Sequence, residues 1–312
     1  MLLKGIALAA FCVFVWGVTF VNTKALLADF SALEIQVLRF AVAFFVLLGI
    51  EKAFKLKAPD PATVKGGRWL YAGLGLWGVF VYQLLENCAI HYTSASNVSI
   101  LVGINPVVTA LLTWLCGQEK RPRALFFIGF LVAITGVVMV SWDGLREFHF
   151  RPVGDLMALG AMLSWGFYSL LVGRVKHGSQ VAVMRRAFCW ALLMMVPFVL
   201  FGMTPAGRTA MDGSFAVTLD GAANLARFGR GLNYVNLGFL GLFASAGCFV
   251  FWNQACARLG IVRCTVGIYL IPAVTVLFAW ACLGERLTAV SATGACLTLV
   301  GVVLSNLRSG KD

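Results

Sequence analysis

Pro106-Val107-Val108-Thr109-Ala110-Leu111-Leu112-Thr113-Trp114-Leu115-Cys116-Gly117-Gln118-Glu119 is followed, 166 residues on, by Pro272-Ala273-Val274-Thr275-Val276-Leu277-Phe278-Ala279-Trp280-Ala281-Cys282-Leu283-Gly284-Glu285. Seven of the fourteen positions are identical without a gap: Pro, Val, Thr, Leu, Trp, Cys and Glu. Chance would give about one or two in so apolar a composition. A duplicated apolar segment in a chain of membrane helices points to a duplicated transporter half.

The chain has 312 residues, 60% hydrophobic and 12% charged, with mean hydropathy +0.88. A soluble domain carries about 25% charged residues, so the composition is that of a polytopic membrane protein. The net charge of +12 sits in short loops between apolar runs. That placement sets topology and argues against a nucleic-acid partner. All nine cysteines (12, 88, 116, 189, 248, 256, 264, 282, 296) fall inside apolar runs without C-x-x-C spacing. They read as small packing residues, with no disulfide, no metal and no cofactor expected. The first apolar run lacks an A-x-A exit and is expected to remain as a helix.

A span needs about 20 apolar residues. Ten runs qualify: 5–27, 33–53, 69–92, 95–117, 124–142, 154–175, 182–203, 234–257, 262–283 and 287–307. With ten spans, the side of Lys4 also holds Lys52, Lys55, Lys57, Lys120, Arg121, Arg123, Arg258 and Arg263. The opposite side holds fewer basic residues, among them Lys24, Arg146, Arg151, Arg208, Arg227 and Arg230. The excess places both termini in the cytoplasm.

The repeat extends beyond the opening segment. Asn87 and Ala89 match Asn253 and Ala255 at the same offset of 166. Trp16-Gly17 matches Trp165-Gly166 at 149, and Val37, Arg39 and Ala41 match Val183, Arg185 and Ala187 at 146. The extra residues therefore fall between spans seven and eight. Each copy holds five spans, an odd number, so the second copy enters from the opposite side and the halves are inverted. The expected division is a first repeat at 1–142, an external linker at 143–153, and a second repeat at 154–312 with a long external loop at 204–233. The stretch Phe215–Phe228 reads as a short surface helix. The loop is either a tolerated insertion or a lid over the outer mouth.

The run Ala89-Ile90-His91-Tyr92-Thr93-Ser94-Ala95-Ser96 leads into Ile100-Leu101 and the Pro106 segment, then Glu119, Gly129 and Gly136. The second half gives Pro272, Gly284-Glu285-Arg286-Leu287-Thr288, Gly294 and Gly301-Val302-Val303. This resembles the EamA-type carriers of the drug/metabolite transporter superfamily, over nearly the whole chain and in both halves. The resemblance implies ten helices in two inverted five-helix repeats. It implies alternating access, usually for metabolite export across a bacterial inner membrane. It places the cavity between spans one, three, four, six, eight and nine, with the last span of each half peripheral. The long loop depart from the pattern, as does Gln118, which stands where the second half has Gly284.

Charged groups within a span cost about 2.5–3.5 kcal/mol at the centre on insertion scales. Glu86 is the clearest case. Tyr82, Gln83, Glu86 and Asn87 share one helical face, and a polar stripe on a membrane helix should point inward. Glu86 is expected to bind a substrate ammonium or a coupling proton, or to form an ion pair with Lys24 or Arg39. Lys24, Glu34 and Arg39 group near the ends of spans one and two. Arg39 and Arg185 read as helix-end anchors to carbonyls or lipid phosphates. Asn87 and Asn253 are matched polar positions, either interhelical or on a cavity wall, and Asn105 stands just before Pro106.

Trp16 and Trp165 lie mid-span, each followed by a Gly that permits close approach of a neighbouring helix. With Tyr82, Tyr168, Trp252 and Tyr269 they suggest an aromatic wall for apolar solutes or an ammonium. Trp114 and Trp280 read as interface anchors. Pro106 and Pro272, midway along their spans, are candidate hinges. Glu119 and Glu285 read as turn elements.

No Walker motif, H-E-x-x-H or G-x-S-x-G is present, and the three His (91, 149, 177) lie apart. The expected function is a secondary transporter, not an enzyme. It would move a small organic metabolite, an amino acid or a related amine or aromatic solute, as a monomer or weak homodimer in the bilayer. A channel-like facilitator and an intramembrane lipid-handling protein are the alternatives.

Overall fold

The computed structural model describes residues 2–59, 66–92, 98, 101–140, 152–175, 178–218, 226–283 and 288–306. The regular structure among them is helical, without a strand. The main helices are α1 (Leu2–Leu26), α2 (Ala32–Ala53), α3 (67–92), α4 (Asn105–Leu115), α5 (Ala124–Val140), α6 (Pro152–Val172), α7 (Gln180–Gly202), α8 (Gly231–Leu259), α9 (261–283) and α10 (Ala289–Asn306). Five of these, α1, α2, α6, α7 and α8, are long and apolar enough to cross a membrane, and shorter apolar helices supply the rest. Large apolar side chains such as Leu3, Phe45 and Leu131 are exposed on the outside. Lipid, unlike water, does not penalise that surface. The chain is a multi-pass membrane protein.

Two of the helices are locally underwound in the same place. α3 is π-helical at Leu76–Val81 and α8 at Phe239–Gly247. The offset that relates Asn87 to Asn253 carries 76–81 onto 242–247, so the internal repeat is visible in the backbone as well as in side chains. A π turn displaces carbonyls from the regular ladder, and a buried carbonyl needs a donor. Gln36 on α2 donates from Nε2 to the carbonyls of Val79 and Phe80, at 3.0 and 2.9 Å. Ser164 on α6 donates to Trp77 O at 2.5 Å, and Trp16 on α1 donates to Ala244 O at 3.2 Å.

The halves interleave. On α1, Gly17 receives the Val274 side chain of α9, and on α6, Gly166 receives Val108 and Leu112 of α4. Val108 and Val274 are matched positions of the repeat, so each glycine admits a helix of the other half. Thr275 adds a hydrogen bond to Gly17 O at 2.8 Å. α5 and α10, the last helices of the two halves, pack on each other through small residues. Gly129 lies against Ser305 and Gly301, Gly136 against Thr298 and Gly294, and Gly301 against the Ala133 backbone. Such close approach maximises dispersion where no hydrophobic effect acts between helices.

Pro106 and Pro272 stand elsewhere in their helices than a mid-helix kink requires. Pro106 is in the first turn of α4, after a break at Gly103–Ile104. Pro272 is the second residue of Ile271–Leu283, the α-helical segment of α9 that follows Ile261–Val266 and a 3-10 turn at Gly267–Leu270. A proline has no N–H to lose in a first turn, so Pro106 opens a helix after a break, while Pro272 opens the second α-helical segment within α9.

One end of the bundle is built around the α1–α2 turn. Ser31 caps α2 in a capping box with Glu34, Ser31 N to Glu34 Oε2 at 3.0 Å and Glu34 N to Ser31 Oγ at 3.1 Å. The segment after α7 folds onto this turn. Leu33 N donates to Ser214 O, and Ser31 Oγ to Ala216 O, at 3.1 and 2.6 Å. Of the short surface helix expected at Phe215–Phe228, 216–218 is irregular, Ala226 is helical and Arg227–Gly229 is a 3-10 turn. Their backbone groups serve the tie to α2 instead. Residues 219–225, the linker residues 143–151 and the Glu285–Arg286 turn lie outside the described residues. At the other end of α2, Glu51 pairs with Arg185 of α7, and Ser179 N donates to Lys57 O at 3.1 Å.

Candidate functional site

A narrow, partly open cavity lies between α1, α2, α3, α4, α6, α8 and α9. α1 supplies Trp16, Thr19, Phe20 and Thr23, and α3 supplies Tyr82, Gln83, Glu86 and Ile90. Arg39, Val102, Asn105, Trp165, Phe249, Ile268 and Ile271 complete the wall.

The α1 residues at 16, 19, 20 and 23 form one helical face. The α3 face is set by the same periodicity, continued from the π turn at Leu76–Val81. Along it Tyr82 Oη donates to Glu86 Oε1 at 2.7 Å and Gln83 Nε2 to Glu86 Oε2 at 3.3 Å. Arg39 Nη1 donates to Gln83 Oε1 at 2.7 Å, and Arg39 Nε to Ser245 Oγ, in the π turn of α8, at 3.0 Å. The order is therefore Arg39, Gln83, Glu86, Tyr82, with the two charges joined through one carboxamide and not in direct contact.

The aromatic side is continuous. The Trp16 and Trp165 rings meet edge to face, with centroids 5.5 Å apart, and Tyr82 lies 4.9 Å from Trp165. Phe249 packs 6.1 Å from Trp165. Trp16 spends its indole N–H on Ala244 O. The Trp165 Nε1 is buried and has no partner among the described residues.

Of the residues expected to bind substrate, Trp16, Tyr82, Gln83, Glu86, Asn105 and Trp165 line the cavity. Asn87, Tyr168, Trp252, Asn253 and Tyr269 are buried but do not line it. Asn87 donates to Ala32 O at 3.4 Å, and Asn253 accepts from Tyr168 Oη at 2.7 Å. Trp252 backs Trp16 at 5.0 Å, and Tyr269 packs near Phe130. Of these five, Tyr168 and Trp252 pack directly behind Trp165 and Trp16 of the wall, and Asn253 is bonded to Tyr168. Asn105 accepts from Thr109 at 3.0 Å. Glu86 makes no ion pair with Lys24 or Arg39.

Arg39 is no helix-end anchor: it is 3% exposed and lines the cavity. Glu34, grouped with it in the sequence, pairs with Arg227. Thr19 and Thr23 are further wall residues, and two threonines four apart in line with Trp16 are their signal in the sequence. Phe249, Val102, Ile268 and Ile271 carried none, since apolar residues surround them on every side of their helices.

Comparison with known proteins agrees with this architecture. The EamA-like transporter family matches residues 3–142 and 152–307, one match for each half. A "Probable amino-acid metabolite efflux pump" of Escherichia coli (strain K12) is 26% identical, covering 96% of this chain and 93% of that protein. A "Probable terminal-alkyne amino-acid exporter" of Streptantibioticus cattleyicolor is 28% identical over 75% of this chain and 72% of its own length. An "Uncharacterized transporter" of Archaeoglobus fulgidus is 26% identical, with 96% of each chain covered. A solved crystal structure shares the fold with TM-score 0.72 at 17% identity, covering 98% of both chains. The doubled match and the interleaved halves lead to one conclusion: the chain belongs to the EamA-like transporter family.

Proposed function

We propose that the chain is a secondary carrier that exports a small organic metabolite, an amino acid or a related amine or aromatic solute, across the inner membrane by alternating access. In this reading the ten helices are ten spans in two inverted five-helix repeats, at 1–142 and 154–312, joined by an external linker at 143–153. Both termini face the cytoplasm, and the protein works as a monomer or weak homodimer. The observation that carries the proposal is the cavity, which is walled by matched helices of both repeats and combines an aromatic side with the Arg39–Gln83–Glu86–Tyr82 chain. The names of the Escherichia coli and Streptantibioticus relatives support the amino-acid class.

Alternating access needs elements that change shape. The paired π turns and the two proline restarts occupy equivalent places in the halves. Pro106 and Pro272 are the proposed hinges. The segment after α7, seated on the α1–α2 turn, acts as the outer lid. Glu86 takes a substrate ammonium or a coupling proton. Tyr168, Trp252 and Asn253, behind the binding wall, hold it in place.

A thermal-shift panel on the purified protein tests the substrate class. Ligands that bind the folded state raise the midpoint by linkage. A rise confined to amino acids, amines or aromatic solutes supports the reading. A rise given only by sugars, nucleotides or long-chain lipids counts against it.

A further inference from the structure

Arg39 and Glu86 are opposite charges on one cavity wall, and they do not neutralise each other. Gln83 stands between them, accepting from Arg39 at 2.7 Å and donating to Glu86 at 3.3 Å. A guanidinium has five N–H donors. Two bonds, to Gln83 and Ser245, are made, and Nη2 has no partner among the described residues. Among the described residues Glu86 accepts from Tyr82 and Gln83, two bonds for a carboxylate with about four acceptor positions. The Trp165 Nε1, a further donor in the same wall, is also without a partner among the described residues. Leaving so many charged and polar positions open in a membrane interior is costly unless something that enters the cavity completes them.

We infer that Arg39 is a specificity-determining residue that reads a substrate carboxylate, while Glu86 reads an ammonium on the same molecule, so that the site selects zwitterions over amines and over acids. This rests on the carrier reading above and narrows it. The guanidinium is a planar donor suited to a carboxylate. The faces of Trp16, Tyr82 and Trp165 complement a cation near Glu86. One carboxamide separates the charges, which is the scale of an α-amino acid headgroup. An amine would leave Arg39 buried without a counter-ion, and an acid would do so to Glu86. A site built for a polar group rejects the analogue that lacks it more strongly than an apolar pocket rejects a missing methylene.

The test compares, on the purified protein, trios that share one side chain. Phenylalanine, phenethylamine and 3-phenylpropionate form one trio; leucine, isopentylamine and 4-methylpentanoate form another. Half-saturating concentrations are read from the thermal midpoint. In at least one trio the amino acid should bind about tenfold to a hundredfold more tightly than either analogue. Arg39→Gln should weaken the amino acid and, by removing the stranded charge, tighten the amine, so that the preference between them is lost. Glu86→Gln should weaken the amino acid and tighten the acid, so that the preference between those two is lost. Arg39→Lys, which keeps the charge, should retain part of the preference, and the ligand comparison on the unaltered protein stands even if a variant does not fold. Equal binding of an amino acid and its amine, or equal weakening of both by Arg39→Gln, overturns the inference and leaves a carrier of amines. Binding by no trio, with saturable flux of some other solute, also overturns it. Absence of saturable flux for every solute removes the carrier reading itself.

Discussion

Arg227 donates to both carboxylate oxygens of Glu34, at 2.8 and 2.7 Å, across 193 residues of chain. The same guanidinium donates to Asp29 O and Thr218 O, at 3.0 and 2.6 Å, and lies over the Phe30 and Phe228 rings. Glu34 in turn accepts from Thr218 N at 3.0 Å. Side-chain exposure is 9% for Arg227 and 7% for Glu34. Removing one member of a buried pair strands the other, at a cost of about 3–5 kcal/mol. Arg227→Ala and Glu34→Gln should each lower the thermal midpoint in detergent, and hydrogen exchange should quicken at 214–218. The double variant should be less destabilised than the sum of the singles. Additive effects would show that the pair is not coupled.

Asp29 extends the same tie. It accepts from Arg230 Nη1 at 2.6 Å and from Asn233 Nδ2 at 2.9 Å. The Asn233 amide, aided by the Arg230 and Arg227 charges, holds its carboxyl below the usual carboxylate range. A depressed carboxyl stabilises the fold above its unfolded value of about 3.9 and loses that contribution as pH falls through the lower folded value. The midpoint difference between the unaltered protein and Asp29→Asn should therefore be constant from about pH 7 to 5 and close below about pH 4. A difference that already closes near pH 6 would contradict the geometry.

The α5–α10 contact gives a steric prediction. A Cβ at Gly301 would fall against the Ala133 backbone, whereas one at Gly49 on α2 would meet nothing within 4 Å. Gly301→Ala should destabilise by about 1–3 kcal/mol, and Gly49→Ala should be neutral or stabilise by up to about 1 kcal/mol. Thermal midpoints of the two variants decide it, and equal behaviour would sink the packing account.

Gln36 holds the first π turn through the carbonyls of Val79 and Phe80. Gln36→Leu strands both, at about 1–3 kcal/mol for each buried group. Backbone exchange should quicken around 79–85 more than in the equivalent turn of α8. Uniform quickening across the bundle would mean that Gln36 serves general packing only.

The sequence carried the repeat, the family and much of the wall. Pro106 to Glu119 and its copy stated the duplication, and the Tyr82–Gln83–Glu86 stripe gave the polar face of α3. Trp16 and Trp165 stood out because mid-span tryptophans are unusual. Asn87 shares their stripe by periodicity but turns to Ala32 O, because a helix face is wider than the cavity it borders. Arg39 was legible as a charge and not as a cavity residue. Its repeat partner Arg185 does sit near a helix start, paired with Glu51, and the symmetry of the sequence is not obeyed by these two side chains. The Glu34–Arg227 tie was hidden for a different reason: pairing across 193 residues leaves no trace in local spacing. The π turns were likewise silent, since winding is set by which carbonyls find donors elsewhere, such as Gln36 and Ser164.

The central claim is carriage by alternating access, and counterflow in liposomes holding the purified protein tests it most directly. The account predicts that uptake of a labelled amino acid saturates, is accelerated by unlabelled amino acid inside, and is lost in Glu86→Gln or Trp165→Ala protein that still folds. Flux that rises in proportion to concentration without saturation, and is indifferent to solute on the far side, would contradict it and leave a channel.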